Sequence, residues 1–264
     1  MTNSSRTILI TGASSGIGLA AAKHFALMGD TVYGLSRHPV KTEGVVPLAA
    51  DVTDETAVQS TISQLLEQEG RIDVLLCCAG FGISGTVEHT DIADTQKQFD
   101  VNYFGALRCI RAVLPAMRKQ RDGCILLVSS VAGALSIPFQ AHCSATKSAL
   151  NALSLALQNE VRPYGIRVAA LLPGDIKTGF TAAREKTAQG ADVYPALPRS
   201  IERMERDEQN GMPPECIAKA LYRLSRKKHP APFSTVGLQY RFFLFLQKIL
   251  PARVYNFIVG MLYA

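Results

Sequence analysis

Residues 7–18, TILITGASSGIG, decide the fold of this chain. Their first five residues form a short, largely apolar run that is typical of a central parallel strand. Glycines follow at 12, 16 and 18, and a helical pattern continues to Gly29. Gly12 permits a tight turn, Gly16 lets the backbone approach a pyrophosphate, and Gly18 allows close packing of the helix. Free N–H groups at a helix N-terminus bind anions, so this order of elements predicts a dinucleotide-binding turn, the alternative being a glycine-rich turn without a ligand.

The second predicted strand, Thr31–Ser36, ends without an acidic residue. Dinucleotide folds that select the unphosphorylated cofactor usually place an acid there, which accepts a hydrogen bond from the ribose 2′-hydroxyl. Here Ser36, Arg37 and His38 follow instead, and a guanidinium can bind a 2′-phosphate with two hydrogen bonds. Arg37 therefore favours NADP over NAD, although a solvated surface arginine would give the same pattern.

Further apolar runs alternate with helical patterns along the chain. They predict a third strand at 45–52, a fourth at 72–80, a fifth from 124 that holds Ser129 and Ser130, a sixth at 167–172 and a last one at 231–236. Strands that alternate with helices build a parallel sheet. We therefore expect one α/β domain over residues 1–264. It would be a Rossmann-type, doubly wound parallel sheet of about seven strands, with helices on both faces and a C-terminal helical extension.

Two polar residues lie close to the predicted strands. Asp51, at the end of the third strand, could accept a hydrogen bond from an adenine amino group or begin the helix that follows it. Asn102 lies in the apolar neighbourhood of a helix predicted at about 95–118. Because a buried amide needs hydrogen-bond partners, Asn102 is either a structural bridge to a neighbouring strand or part of a proton path.

Residues 129–147, SSVAGALSIPFQAHCSATK, carry the candidate chemistry. Ser130 comes at the end of a buried strand, and Lys147 lies on the first turns of the next helix, predicted at Ala141–Val161. A hydroxyl and an amine placed in this way converge above the sheet edge, where open α/β sheets bind their ligands. Cys143 lies four residues before Lys147 on the same helical face, where a stronger acid–base group would be expected.

The composition is that of an ordinary globular protein, with 47% hydrophobic and 19% charged residues in a chain of 264. The net charge of +6 belongs to the carboxyl-terminal part, because residues 216–264 contain eight Lys or Arg and no Asp or Glu. This uneven distribution weakens any interpretation of the chain as a nucleic-acid-binding protein.

The six cysteines show no CxxC pair or zinc spacing, and several lie in apolar runs. This pattern favours reduced thiols in a cytoplasmic protein without a metal site. The first six residues, MTNSSR, lead almost directly into a strand and leave no room for a signal peptide. No window of 18 residues is apolar enough to predict a membrane-spanning helix.

Two segments follow the last long strands. Residues 179–213 are polar, with prolines and several charges, and predict a mobile substrate lid rather than a core element. The tail, residues 238–264, holds seven of the nineteen Phe and Tyr residues, and Pro251 should divide it into two helices. One interpretation of this tail is peripheral contact with a membrane, which would suit a lipid substrate. The other is packing over the substrate cleft or against a neighbouring subunit.

The helix after Ser130 contains a nearly apolar stretch, ALNALSLAL at 149–157. Such a stretch indicates burial against the sheet on one side and against a partner subunit on the other. We therefore expect a homodimer or homotetramer.

These motifs together resemble those of the short-chain dehydrogenase/reductase superfamily, and the resemblance covers residues 7–237. It is closest to hydroxysteroid and retinol dehydrogenase-like members, which act on steroids, retinoids and long-chain keto compounds. The resemblance implies an oxidoreductase that interconverts a secondary alcohol and a ketone with a nicotinamide cofactor. It implies cofactor contacts at Gly12, Ser14, Ser15, Gly16, Ile17, Gly18, Asp51, Val52, Ala79, Gly80, Lys147, Pro173, Gly174, Ile176 and Thr178.

The resemblance also implies catalytic roles. Ser130 would hold the substrate oxygen. Lys147 would bind the nicotinamide ribose and lower the pKa of the neighbouring acid, and Asn102 would link Lys147 to a chain of water molecules. Thr178 and the backbone of Ile176 would contact the nicotinamide carboxamide.

Cys143 departs from the family pattern, because the family has tyrosine four residues before its lysine. (Cys78, where asparagine is common, departs more mildly.) A thiol has an ordinary pKa of about 8.5, so acidity does not exclude it as a proton donor. Its sulfur, however, ends one bond beyond Cβ, whereas a tyrosine oxygen projects across a whole ring. Losing a positioned acid typically costs about 10²–10⁴-fold in rate. His142 is no substitute, since it points about 100° away on the helix.

Three interpretations of Cys143 stay open. The tyrosine of a family reductase was replaced deliberately, or the chain is a natural variant with weak or altered activity, or it binds the cofactor without redox chemistry. The substrate walls predicted at 81–85, 136–139 and 179–180 are mostly apolar. They favour a hydrophobic ketone or secondary alcohol over a sugar or a charged acid.

Overall fold

A parallel sheet of seven strands forms the centre of the protein. The structure, a computed structural model, describes residues 5–187 and 189–264. In chain order the strands are β1 (Thr7–Thr11), β2 (Thr31–Ser36), β3 (Val45–Ala49), β4 (Val74–Cys77), β5 (Ile83–Ser84), β6 (Gly123–Val128), β7 (Ile166–Leu171), β8 (Glu185–Lys186) and β9 (Phe233–Ser234). The central sheet has the order β3-β2-β1-β4-β6-β7-β9, and β5 pairs with β8 in a separate ribbon. This confirms the predicted doubly wound α/β fold.

Helices cover both faces of the sheet. They are α1 (Gly16–Leu27), α2 (Glu55–Glu69), α3 (Ile92–Phe99), α4 (Gly105–Gln120), α5 (Ala132–Leu135), α6 (Ala141–Val161), α7 (Phe180–Ala183), α8 (Leu197–Gln209), α9 (Pro214–Arg226), α10 (Leu238–Ile249) and α11 (Ala252–Tyr263). Helices α2, α4 and α6 bury one face of the sheet, and α1 and α9 bury the other.

Strand β1 shows why consecutive residues of a central strand are apolar in this sequence. Leu9 belongs to the core under α2, α4 and α6, whereas Ile8 and Ile10 belong to the core under α1 and α9. Successive side chains of a strand point to opposite faces, so a strand that is covered on both sides needs apolar residues at consecutive positions.

The observed bounds differ from the predicted ones mainly where strands meet the cleft. β1, β2 and α6 have the predicted bounds, but β3 and β4 end three residues early, at Ala49 and Cys77. The prediction that Ser129 and Ser130 lie within the fifth strand is wrong, because β6 ends at Val128. Apolar or small residues continue past each strand end here, but the backbone has already turned into the loops that line the cleft.

The long helix predicted at about 95–118 has an interruption. A π-helical turn, Asp100–Phe104, joins α3 to α4 and contains Asn102. Turns of this kind inside helices are frequent at functional sites, because the extra residue re-aims the side chains around it.

Residues 179–213 contain more regular structure than their polar sequence predicts. They form α7, β8 and α8, and α8 buries Leu197, Ser200 and Met204. The prediction that this segment lacks core elements is therefore wrong, because Leu197, Ile201 and Met204 recur at helical spacing and give α8 an apolar side. Its role as a substrate lid remains a prediction.

The tail forms two helices, as predicted, and Pro251 precedes the first residue of α11. Helix α10 packs against α5, and α11 packs against α8. Among the described residues, no helix combines the length and the apolar character that crossing a membrane requires.

Candidate functional site

A cleft of about 470 Å³ lies at the carboxyl ends of the central strands. The strand order reverses between β1 and β4, which is where open α/β sheets bind ligands. Apart from Asn102, every residue predicted for the site lines this cleft: Gly12, Ser14, Ser15, Gly16, Ile17, Gly18, Arg37, Asp51, Val52, Ala79, Gly80, Ser130, Cys143, Lys147, Pro173, Gly174, Ile176 and Thr178.

The turn between β1 and α1 has a backbone that requires glycine. Gly12 and Gly16 have φ angles of +66° and +51°, in the left-handed region that side chains disfavour. A Cβ on Gly12 would lie 2.8 Å from Ala79 Cα, and one on Gly18 would lie 2.2 Å from the Gly12 carbonyl oxygen. Ser15 precedes α1 but makes no side-chain cap, so the first amides of the helix stay available to an anion. The turn therefore fits the diphosphate of a dinucleotide.

Thr11 supports this turn, although it is not among the site residues predicted from the sequence. Its Oγ1 accepts hydrogen bonds of 3.1 Å from the backbone N–H groups of both Cys78 and Ala79. These bonds hold the end of β4 against the glycine turn. A threonine placed directly before the first glycine is the signal that could have identified it.

Asp51 and Arg37 lie towards the β2–β3 side of the cleft. Asp51 accepts a 2.9 Å hydrogen bond from the Thr53 amide. The N-cap of α2 is Asp54, which accepts a 2.9 Å bond from the Ala57 amide. The alternative that Asp51 begins the helix is therefore wrong, since Asp54 has that role. Arg37 is exposed at the end of β2 and forms no ion pair in the part of the chain that the structure describes.

Lys147 and Ser130 both line the cleft at the ends of β6 and β7. The Lys147 ammonium donates a 2.9 Å hydrogen bond to the Val128 carbonyl oxygen, and burial lowers the pKa of Lys147. The Ser130 hydroxyl accepts a 3.1 Å bond from the Ala132 amide and lies 3.5 Å from the Pro173 carbonyl oxygen. Lys147 is thus held by the end of β6, and Ser130 lies beside the loop that follows β7.

Asn102 lies behind the cleft rather than in its lining. Its Oδ1 accepts a 2.9 Å bond from the Phe81 amide, and its Nδ2 donates to the Phe81 carbonyl oxygen and to Thr146 Oγ1 at 3.0 and 3.1 Å. A Cβ on Gly80 would lie 3.1 Å from Asn102 Oδ1 and 3.7 Å from Lys147 Nζ. Asn102 is therefore a structural bridge between the loop after β4 and helix α6, and its role in a proton path remains a prediction.

Cys143 lines the cleft beside Lys147 and is only 5% exposed. Burial raises the pKa of the Cys143 thiol, and the positive charges of Lys147 and Arg184 oppose that rise only in part. The thiol is therefore protonated at neutral pH.

Arg184 and Glu208 form a buried ion pair that was not predicted from the sequence. The Arg184 side chain is 1% exposed, lies over the Phe180 ring, and leaves Nε and Nη1 without a hydrogen-bond partner among the described residues. Glu208 lines the cleft and accepts a 2.6 Å bond from the Thr181 hydroxyl. Glu208 therefore adds a carboxylate to the cleft beside the predicted apolar wall residues Phe81 and Phe180. The partners are 24 residues apart, and no local pattern indicates that they meet.

Tyr240, from the tail, holds the turn that follows β7. Its hydroxyl donates a 2.7 Å bond to the Asp175 carboxylate and accepts a 2.9 Å bond from the Asp175 amide. A Cβ on Gly174 would lie 2.1 Å from the Tyr240 ring, so only glycine fits beneath it. The tail is thus part of the site's framework.

Comparison with known proteins defines the class of protein that this fold and site represent. A family model described as short chain dehydrogenase matches residues 6–189. The chain belongs to the short-chain dehydrogenase/reductase family, whose members are oxidoreductases that use a nicotinamide cofactor.

Individual relatives agree with this assignment. The chain is 40% identical to a 3-ketodihydrosphingosine reductase of Bacteroides thetaiotaomicron, over 86% of each chain. It is 31% identical to a probable short-chain type dehydrogenase/reductase, VdlC, of Helicobacter pylori, over 94% of each chain. A solved short-chain dehydrogenase from Streptomyces avermitilis superposes with a TM-score of 0.85 at 29% identity, over 93% of this chain and 92% of that one.

Proposed function

We propose that this protein is an NADP(H)-dependent oxidoreductase that interconverts a ketone and a secondary alcohol on a hydrophobic, lipid-type substrate. The observation that carries this proposal is the continuity of the cleft. The glycine turn, at one end, fits a dinucleotide diphosphate, while Ser130 and Lys147, at the other, present a hydroxyl and an ammonium to a reacting oxygen.

The residues present suit the cofactor along its whole length. The amides at the start of α1 would bind the diphosphate, Asp51 the adenine, and Arg37 the 2′-phosphate. Thr178 and Ile176 would hold the carboxamide, and Lys147 the nicotinamide ribose. The bound nicotinamide supplies or accepts the hydride, so the protein must position the substrate oxygen and move a proton.

Ser130 and Cys143 would perform those two tasks. The Ser130 hydroxyl would donate a hydrogen bond to the substrate oxygen, and in the reductive direction that oxygen takes a proton when the carbon takes the hydride. The buried, protonated Cys143 thiol can give that proton, either directly or through water. Because its sulfur ends close to the helix backbone, we expect native turnover to be slow.

Two features support a lipid-type substrate. The first is the identity with a 3-ketodihydrosphingosine reductase, which by its name reduces a lipid ketone. The second is the wall formed by Phe81 and Phe180, with Glu208 close by as a carboxylate. An apolar wall next to a hydrogen-bond acceptor suits a long-chain ketone that carries a hydroxyl or amino group beside the carbonyl.

The test is to install the missing tyrosine. Native protein, Cys143→Tyr and Cys143→Ala are assayed with NADPH and with NADH against a long-chain keto amino alcohol, a ketosteroid and retinal. Cys143→Tyr should raise turnover by about 10²–10⁴-fold, the usual effect of a positioned acid. Cys216→Tyr, outside the cleft, is the matched control and should leave turnover unchanged. Absence of turnover in every variant, despite NADPH binding, would contradict the proposal.

A second candidate function is binding of NADP(H) without redox chemistry. The packing of Cys143 favours it, because a buried thiol without a tyrosine ring fills the space as a small apolar group would. This alternative predicts NADPH binding in all three proteins and turnover in none, so the same assay separates the two functions.

A further inference from the structure

Helix α10 carries apolar side chains on its outer face as well as on its inner one. Tyr240 is buried and Leu244 packs against the core. On the opposite side Leu238, Phe242, Phe245 and Ile249 recur at intervals of four, three and four residues. This is the spacing of one helical face, yet here that face points to solvent.

Helix α11 repeats the arrangement. Val259 is buried, whereas Val254, Phe257 and Met261 follow each other at intervals of three and four residues on the outside. The seven residues, from Leu238 to Met261, form what we call the outer stripe, and each is between 43% and 82% exposed. Exposed apolar groups that are collected in this way mark an interaction surface.

Basic residues accompany the outer stripe. Arg241, Lys248 and Arg253 are exposed, and each directly precedes a stripe residue. Consecutive residues lie about 100° apart around a helix, so the three charges run along the edge of the stripe. The chain from 216 to 264 contains no Asp or Glu to neutralise them.

These features decide between two possible occupants. A second copy related by a two-fold axis would place the same patch on itself, and its basic residues would then face each other without acids between them. An anionic bilayer offers acyl chains to the aromatic stripe and negative head groups to the Lys and Arg at its edge. We propose that the outer stripe docks the protein on the surface of an anionic membrane, without crossing it.

The inner side of the same helices connects this surface to the cleft. Tyr240 binds Asp175 and covers Gly174, and the Tyr263 ring lies 5.6 Å from the Arg203 guanidinium on α8. Helix α8 in turn supplies Glu208 to the cleft lining. A docked membrane would therefore lie beside the elements that surround the substrate end, where a lipid substrate would enter. Only this last step rests on the proposed function.

The test uses flotation of the full chain with phosphatidylcholine vesicles, with and without added phosphatidylglycerol. Native protein should float with the anionic vesicles and lose most of this binding at high salt. A variant with Phe242→Ser, Phe245→Ser and Phe257→Ser should bind more than about tenfold more weakly. Reversing the charges with Arg241→Glu, Lys248→Glu and Arg253→Glu should abolish the preference for anionic vesicles.

Controls separate this proposal from misfolding and from the proposed reaction. Leu27→Ser with Ile92→Ser removes two apolar residues elsewhere that are more exposed than the three phenylalanines, and it should leave vesicle binding unchanged. NADPH binding by the stripe variant should equal that of native protein. Native protein that does not float with anionic vesicles would overturn the proposal, as would a stripe variant that floats normally. A stripe variant whose main change is a smaller oligomer in light scattering would also overturn the proposal, because the outer stripe would then bind a second copy of the chain.

Discussion

The two ends of the cleft are built in different ways. At the nucleotide end, the turn between β1 and α1 depends on backbone geometry: Gly12 and Gly16 have positive φ angles, and Gly12 and Gly18 lie too close to other backbone atoms to carry a Cβ. At the substrate end, the important contacts join residues far apart in the chain. Arg184 meets Glu208, and Tyr240 meets Asp175 across 65 residues.

From this difference we expect the two ends of the cleft to respond differently to substitution. A side chain at the glycine turn would collide with backbone atoms, which cannot move away. Cys143, by contrast, lies at the substrate end of the cleft and is 5% exposed. We infer that the nucleotide end is constrained by the backbone and the substrate end by side-chain partners, and four experiments test this inference.

The largest expected effect is at the buried ion pair. Glu208→Leu leaves the Arg184 guanidinium buried without its partner, which should lower the free energy of unfolding by about 3–5 kcal/mol. Arg184→Met combined with Glu208→Leu removes both charges and should restore stability to near the native value. Urea unfolding measures all three proteins. If Glu208→Leu alone is as stable as native protein, the ion pair does not stabilise the substrate end.

The next effect is at the glycine turn. Gly18→Ala places a methyl group 2.2 Å from the Gly12 carbonyl oxygen. It should lower the free energy of unfolding by about 3 kcal/mol and should also weaken nucleotide binding. Gly260→Ala is the matched control, because a Cβ there meets nothing within 4 Å inside α11. It should be neutral or stabilise by about 0.5–1 kcal/mol. Thermal unfolding and NADPH titration measure the two variants. If both variants behave alike, the glycine turn is not constrained by its backbone contacts.

A smaller effect should distinguish the two nicotinamide cofactors. Arg37→Asp should weaken NADPH binding by about tenfold or more, since hydrogen bonds to charged groups contribute roughly 1.5–3 kcal/mol. NADH lacks the 2′-phosphate, and its binding should change little. Arg226→Asp makes the same charge change at the end of α9, away from the cleft, and serves as the control in calorimetric titrations. Equal losses for both cofactors would argue against the 2′-phosphate contact.

The smallest effect concerns the thiols. Burial raises the pKa of Cys143, and it raises the pKa of Cys124 to about 11 and that of Cys78 to about 12. These groups remain protonated in the folded state above the ordinary thiol pKa, whereas the unfolded chain would ionise there. Their contribution to stability is therefore present below pH ~8.5 and is lost as the pH rises through the folded values.

Alkylation with iodoacetamide, followed by mass spectrometry, tests this expectation. At pH 8 the partly exposed Cys216 should react first, and Cys143 should react slowly. If Cys143 reacts as fast as Cys216, its thiol is not held in the protonated form.

The sequence predicted the nucleotide end well because that end follows local rules. The glycine spacing and the bounds of β1 and β2 depend on neighbouring residues, and the structure has them as expected. The substrate end could be predicted only in part. The π-helical turn at Asn102 and the contact of Tyr240 with Gly174 arise from tertiary packing, which no short sequence pattern contains.

Helix α8 is a different case. Its apolar residues at 197, 201 and 204 have the spacing of a helix. The segment also contains many charged residues, and its composition alone therefore predicts a polar loop. The apolar spacing is the better guide in this segment, because a helix that covers a cleft has one polar face.

A crystal structure of the protein with NADPH would show how the cleft holds its cofactor. We expect the diphosphate against the amides at the start of α1, the 2′-phosphate beside Arg37, and the nicotinamide next to Lys147 and Thr178. A nucleotide bound outside this cleft, or a nicotinamide turned away from Lys147 and Ser130, would contradict the proposed function.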